Sequence, residues 1–190
     1  MPIDTSTQAA EGNSPAASPT VLAQGEEEVD YTQLQEYLEA EEWQEADRET
    51  VRLMVELGDS DRNTWLGPEE VLTFPCEELQ QIDRLWVTYS DGRFGFSIQE
   101  KIYHNLGGEI KLNYDEVDFE ILEAFLERLG WFSQEESLLE YKYVTFDLTA
   151  PEGHLPLWLD SVTGYGVPGC ESCLTVHTGT LFFHVKACGL

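Results

Sequence analysis

Between Asp30 and Leu129 the apolar residues recur at intervals of three and four, and glycine or proline closes most runs. That pattern permits short amphipathic helices and leaves little room for anything else. Tyr31, Leu34 and Leu38 predict a first helix, with Asp30 and Gln33 spaced as a capping box. Trp43, Ala46, Thr50, Leu53 and Leu57 share one face of a second, with Glu42, Glu45, Glu49 and Glu56 mostly outside it and Gly58 as its stop. Pro68 opens a two-turn helix that reaches Phe74 before Pro75. Leu79, Ile82, Trp86 and Tyr89 predict a fourth helix, closed by Ser90-Asp91-Gly92. Ser97 with Glu100 forms a second capping box, ahead of Ile98, Ile102 and Leu106 and a stop at Gly107-Gly108. A longer helix is expected from Asp115 to Leu129, with Leu122, Phe125, Leu129 and Asp118 on its inner face.

After Gly130 the helical period fails. Tyr141 to Phe146 reads as extended chain, Pro151, Gly153 and Pro156 forbid a long helix, and Gly164, Gly166, Pro168 and Gly169 mark a further loop. This segment carries Trp131, Phe132, Tyr141, Tyr143, Phe146, Leu155, Leu157, Trp158 and Leu159. Side chains this apolar must either complete the core or close over something bound between segment and helices. No repeat of fixed period is present. The expected fold is all-α: a compact helical domain with a long irregular aromatic-rich loop. Residues 1–29 read as a disordered acidic tail, 30–165 as the helical domain, and 166–190 as a cysteine-rich C-terminal segment with a helical end.

Charge narrows the function. Of 190 residues 37 are acidic and 10 basic, a net −27 at neutral pH. Such a field repels nucleic acid and anionic membrane surfaces. No run of apolar residues is long enough to span a bilayer. The tail holds Asp4, Glu11 and Glu26 to Glu28 but no base, which fits neither a secretory signal nor a transit peptide. Four cysteines in a chain this long do not make a disulfide scaffold, so reduced thiols in a cytoplasmic setting are the expectation. Cys170-x2-Cys173 with His184-x3-Cys188 has the ligand types of a zinc site, but the central interval is short, and the expectation is no metal. His104, His154, His177 and His184 are scattered, no serine lies in a nucleophile elbow, and the carboxylates decorate helix faces. The chain is not expected to be an enzyme.

Gly92-Arg93-Phe94-Gly95-Phe96-Ser97-Ile98-Gln99 sets two aromatics around a glycine just before a helix start. This offers a flat apolar surface beside backbone N–H groups, suited to a planar ligand with an anionic edge. It lacks the lysine and glycine spacing of a phosphate loop. Together with Asp30-Tyr31-Thr32, Trp43, Ala46-Asp47, Thr50, Trp65-Leu66, Phe74-Pro75-Cys76, Ile82-Asp83, Leu85-Trp86 and Ala150-Pro151-Glu152-Gly153-His154-Leu155-Pro156, it resembles the genomes-uncoupled-four family. The resemblance covers roughly Asp30 to Pro156. It implies a cupped-hand helical domain that binds protoporphyrin IX and Mg-protoporphyrin IX and stimulates magnesium chelatase in chlorophyll synthesis by contact with its large porphyrin-binding subunit. The porphyrin is then a ligand rather than a catalytic cofactor. The implied location is the cytoplasm or plastid stroma of a photosynthetic cell, with peripheral membrane contact allowed.

A tetrapyrrole is a flat apolar disc with two carboxylates on one edge, so its receptor needs a groove, a cover and cations at the rim. Val71, Phe94, Phe96, Ile98, Trp131, Phe146, Leu155 and Trp158 are the expected groove and cover; Phe74 and Trp86 are expected in the core. Family members commonly carry Asn and Arg just after the His-Leu-Pro motif. This chain has Leu157 to Tyr165 there with no base, leaving Arg93 and Lys142, with Lys101, as rim cations. The alternative is a helical protein-interaction adaptor that has lost or altered tetrapyrrole binding.

Overall fold

A computed structural model describes residues 29–58, 66, 68–109, 118–133, 137–138, 141–157 and 171–190. Its elements are α1 (Thr32–Glu39), α2 (Trp43–Leu57), α3 (Pro68–Thr73), α4 (Cys76–Tyr89), α5 (Phe96–Asn105), α6 (Phe119–Leu129), a two-stranded antiparallel ribbon of β1 (Phe132–Ser133) and β2 (Ser137–Leu138), a 3-10 turn at Tyr141–Tyr143, and α7 (Glu171–Ala187). The fold is all-helical, as the periodicity predicts. The acidic tail lies outside the described residues. No helix among those described is long and apolar enough to cross a membrane.

The helices pack as a chain of neighbours: α1 on α2 and α4, α4 on α5, α5 on α6 and α7, and α7 back on α3. The predicted face of α2 is the buried one, and Trp43, Ala46, Thr50 and Leu53 all lie in the core. There the Phe94 ring meets Trp43 edge-on with centroids 5.5 Å apart, and Trp86 edge-on at 6.3 Å. The indole N–H of Trp86 donates to Thr50 Oγ1 at 2.9 Å, and that hydroxyl donates to the Ala46 carbonyl at 2.9 Å. The buried polar atoms of this cluster therefore have partners, which spares their desolvation cost. A second aromatic cluster joins α5, α6 and α7, with Phe125 edge-on to Tyr103 and to Phe182, both at 5.4 Å.

Several local expectations are corrected. The helix α1 has no side-chain cap; Asp30 Oδ1 instead accepts from Thr32 N at 2.9 Å, a turn of its own just ahead of the helix. The Ser97–Glu100 box is absent too, because α5 begins two residues earlier with Gly95 at its N-cap, and the acceptor comes from α4: Asp83 Oδ1 takes Ser97 N at 2.9 Å. Of the expected 115–129 helix, Phe119–Leu129 is helical and 115–117 lie outside the described residues. Asp118 does not face the core; it is the exposed N-cap, accepting from Glu120 N and Ile121 N at 3.1 and 3.3 Å. Tyr141 to Phe146 is not extended but enters through the 3-10 turn, which brings the rings of Tyr141 and Phe146 to 5.2 Å.

Candidate functional site

The two motifs that most distinguish the sequence lock into each other. Gly95 N donates to Leu155 O at 3.0 Å, and Gly153 N donates to Arg93 O at 2.8 Å. The Arg93 guanidinium donates to Ala150 O, from Nε at 2.9 Å and from a second nitrogen. Buried Gln99 donates from Nε2 to Gly153 O and Pro156 O, both at 2.9 Å. Residues 150–156 thus lie along the start of α5, joined to it by backbone and side-chain hydrogen bonds. The Leu155–Pro156 peptide is cis.

Three further polar groups hold the segment. Asp47 on α2 is buried and accepts from Leu157 N at 2.6 Å and from Tyr141 OH at 3.1 Å, pinning both ends of 141–157 to one carboxylate. Burial, with the Asp47 charge and hydrogen bond added, pushes the Tyr141 phenol well above its usual range. Trp131 Nε1 donates to His154 O at 2.9 Å. His154 Nδ1 lies 2.6 Å from Leu129 O, which can only accept, so the ring is the Nδ1–H tautomer. Its Nε2 and Gln99 Oε1 are buried without a hydrogen-bond partner among the described residues. Burial pushes the His154 pKa below its ordinary value, against the raising influence of the Leu129 carbonyl and Asp147. Burial likewise raises the Asp83 carboxyl, opposed by hydrogen bonds from Ser97 and Phe96. The sequence places Asp47, Asp83, Gln99 and His154 in its distinguishing motifs but assigns none of them these anchoring roles. A carboxylate four residues after an apolar anchor, as Asp47 follows Trp43 and Asp83 follows Leu79, was the available signal.

Of the expected ligand residues, Val71, Phe94, Phe96, Trp131 and Leu155 are no more than 3% exposed and belong to the core. The partial burial expected of Phe94 is not what the fold gives it, because Trp43 and Trp86 close over its ring. Ile98 and Phe146 are half-buried, and Lys142 is exposed, its Nζ 4.7 Å from the centre of the Tyr143 ring. Arg93 is half-buried and engaged with Ala150. Trp158 lies outside the described residues. Exposed Tyr143 and Leu148 extend the apolar character of 141–149 to the surface.

The described surface has two concavities, of which one includes an expected ligand residue, Ile98. One, of about 250 Å³, has Ile98, Ile102 and Leu106 as apolar wall and Lys101 and Arg128 as cations, with Arg128 3.2 Å from Glu152. The other, of about 420 Å³, lies between the end of α5 (His104, Gly108, Glu109) and α7 (Phe183, Lys186, Ala187). Pockets for drug-sized ligands usually measure roughly 300–1,000 Å³.

The cysteines depart from expectation. Cys76 and Cys188 are not free thiols; they form a disulfide across 112 residues of chain, with Cα atoms 5.2 Å apart, well inside bridging distance. His184 Nε2 sits 3.3 Å from Cys188 Sγ. Half of the sequence-suggested zinc set, His184 and Cys188, is therefore brought together, but with Cys76 in place of Cys170 and Cys173, and with both sulfurs in the bridge. The side chains of Cys170 and Cys173 lie outside the described residues.

Residues 24–165 match the family model described as GUN4-like. A Ycf53-like protein of Synechocystis is 36% identical over 142 residues, covering 73% of this chain and 54% of that protein. The chloroplastic tetrapyrrole-binding protein of Arabidopsis thaliana is 32% identical over 127 residues, covering 65% of this chain and 46% of that one. The chain thus spans about half the length of the curated relatives it matches. In fold it is similar to the ligand-free structure of Arabidopsis thaliana GUN4, with TM-score 0.59, 24% identity and coverage of 80% of this chain and 95% of that one. It is also similar to GUN4 of Chlamydomonas reinhardtii, with TM-score 0.60, 22% identity and coverage of 90% and 97%.

Proposed function

Because the chain belongs to the GUN4-like family, we propose that it binds a tetrapyrrole, protoporphyrin IX or Mg-protoporphyrin IX, and stimulates or regulates magnesium chelatase through contact with the large porphyrin-binding subunit. The observation that carries the reading is that the family match spans residues 24–165 and so contains both interlocked motifs and the whole 141–157 segment they hold. The protein acts as a regulatory ligand-binding module and not as an enzyme, in the cytoplasm or plastid stroma, in keeping with its Synechocystis and chloroplast relatives.

The division of labour follows from burial. Phe94, Phe96, Val71, Trp131 and Leu155 build the frame against which the pigment lies. Ile98, Phe146 and Lys142 remain accessible to touch it, with Trp158 as part of the cover. The disc contributes its affinity mostly through apolar contact, since the −27 field opposes approach of a dicarboxylate and the rim cations are few. Lys142 and Lys101 meet the carboxylates at that rim.

Titration with protoporphyrin IX and with its magnesium complex, followed by tryptophan fluorescence, tests this reading. Quenching that saturates at one ligand per chain is expected. Quenching no greater than that of an unrelated acidic protein overturns it. A pull-down with the large chelatase subunit, with and without porphyrin, tests the partner. The second reading, a helical adaptor without pigment, is favoured by one observation: five of the ten expected ligand residues have no free apolar surface to offer.

A further inference from the structure

The Cys76–Cys188 bridge joins two parts of the chain with different standing. Cys76 is the first residue of α4, inside the segment matched to the family, while Cys188 follows the last turn of α7, beyond residue 165 where that match ends. The helix α7 covers α3 and α5, with Phe182 against Phe125 and Tyr103. At its far end the bridge is the covalent part of a polar cluster: Gln80 Nε2 donates to Cys188 O, and His184 Nε2 lies 2.6 Å from Phe74 O and 3.3 Å from Cys188 Sγ.

The two sulfurs are not equivalent. Cys188 is 6% exposed, whereas Cys76 is half-buried and is the one an incoming thiolate can reach. Phe74 O can only accept, so His184 Nε2 carries a proton, and the same N–H is in reach of Cys188 Sγ. A leaving thiolate at Cys188 therefore meets a hydrogen-bond donor already in place, the arrangement that speeds exchange by stabilising the departing sulfur.

We propose that Cys76–Cys188 is a thiol–disulfide exchange site for a dithiol reductant of the thioredoxin type, and that its oxidised form clamps the end of α7 to the α3–α4 corner. In the first step a thiolate of the reductant bonds to Cys76 Sγ as the Cys76–Cys188 bond breaks. The electron pair leaves on Cys188, which is held by His184 Nε2–H and takes a proton from solvent. The second thiol of the reductant then loses its proton and attacks the reductant's sulfur of the mixed disulfide; the bond to Cys76 Sγ breaks, and Cys76 leaves as thiolate and takes up a proton. The reductant ends as a disulfide and this protein as two thiols. Freed of the bridge, the last turn of α7 moves independently of α4. That turn carries Lys186 and Ala187, which wall the 420 Å³ cavity, so the redox state sets the cavity's outer edge. None of this depends on pigment binding.

The experiment uses the full chain. A thioredoxin variant lacking its resolving cysteine is expected to trap a mixed disulfide on Cys76, read by peptide mass. Trapping on Cys188, or no reaction unless denaturant is added, overturns the assignment. Hydrogen exchange then compares oxidised protein, protein reduced by thioredoxin with dithiothreitol, and Cys76→Ser. Amides of residues 179–190 are expected to exchange at least tenfold faster in the latter two, with those of α2 and α4 unchanged. Equal exchange in all three forms, or loss of protection throughout the domain, makes the bridge a passive staple and refutes the clamp. His184→Asn, which removes the Nε2 donor, is expected to slow native-state reduction at least threefold; an unaltered or faster rate removes His184 from the mechanism.

Discussion

Replacing Gly95 by alanine tests whether the motif around it is built for close approach. Gly95 has φ 137° and ψ 159°, a region open essentially to glycine, and forcing another residue there costs about 1–3 kcal/mol. An added Cβ would stand 2.8 Å from Val87 Cγ2 and 2.9 Å from Asp83 Oδ1. The Asp83 carboxylate cannot give way freely, because the same oxygen holds Ser97 N at 2.9 Å at the start of α5. Losing a hydrogen bond to a charged, buried group costs about 1.5–3 kcal/mol. The two effects together predict a loss of about 2.5–6 kcal/mol for Gly95→Ala. Gly92, two residues from Phe94, is the control: its φ is +77° but nothing lies within 4 Å of the Cβ position, so Gly92→Ala should cost only the left-handed penalty of about 1–2 kcal/mol. Urea unfolding of both variants gives the comparison, and in a chain of this size the difference corresponds to a fall in Tm of about 5–10 °C. Adding Asp83→Asn to Gly95→Ala should cost less than the sum of the single changes, because both break one contact. If Gly95→Ala is no more damaging than Gly92→Ala, the steric account of the motif is wrong.

Arg93→Ala should weaken binding of protoporphyrin IX and of its dimethyl ester by the same factor, since the guanidinium is engaged with Ala150 O and acts through the 150–156 segment; a loss confined to the free acid, measured by fluorescence titration, would make it a carboxylate anchor instead. Asp47→Asn should loosen residues 141–157 at a cost of about 1.5–3 kcal/mol and bring early proteolytic cleavage within them while α4 stays protected, because one carboxylate holds both Leu157 N and Tyr141 OH; uniform cleavage would refute the pinning. His154 has a folded-state pKa below its ordinary 6.5, so the unfolded chain takes up the proton first and the stability due to the neutral ring, full above about pH 6.5, is lost as pH falls through the folded value. His154→Asn, which keeps a donor for Leu129 O without titrating, should lose less stability than wild type between pH 7 and 5 in urea titrations; parallel curves would show that His154 is not the sensor.

The helices were legible because their signals are local. Trp43, Ala46, Thr50 and Leu53 needed only the helical period to be assigned one face, and Gly58 to be assigned a stop. The failures were tertiary. Local spacing makes Ser97 its own cap, but the acceptor is Asp83, fourteen positions earlier on α4, which no pattern confined to one turn can find. Tyr141-Lys142-Tyr143 alternates like a strand, yet no strand among the described residues pairs with it, and Asp47, at a separation of 94 residues, holds the Tyr141 hydroxyl. The disulfide was missed for the same reason. Local spacing pointed to Cys170 and Cys173, while the bridge spans 112 residues and depends on α7 folding back over α3. Burial of Phe94 and Phe96 was hidden because a short aromatic run beside glycine looks alike at a ligand surface and at a crossing of two segments.

That ambiguity resolves in favour of the crossing, and the residue types follow from it. Gly95 and Gly153 are the points where the two segments bond backbone to backbone, and neither has room for a side chain: at Gly95 a Cβ would meet Val87 and Asp83 of α4, and at Gly153 it would lie 2.8 Å from both Ile102 and Leu129. Gln99 is the residue that can reach two carbonyls of the facing loop from one amide nitrogen. Phe94 and Phe96 fill the volume beneath. The motifs that carry the family resemblance are thus explained as partners of one another, and what they position is the short surface stretch after Tyr141. There Lys142, Tyr143, Phe146 and Leu148 set a cation among apolar groups that are half-buried or exposed. A segment tied at Asp47, Arg93 and Gln99 cannot wander, so these side chains are presented in a fixed frame without being consumed by the core. Affinity for a flat apolar ligand would be governed there, while substitutions at Phe94 or Phe96 would act first on folding. A series of alanine replacements that separates the two groups, with affinity lost at Phe146 and stability lost at Phe94, is the signature this frame requires.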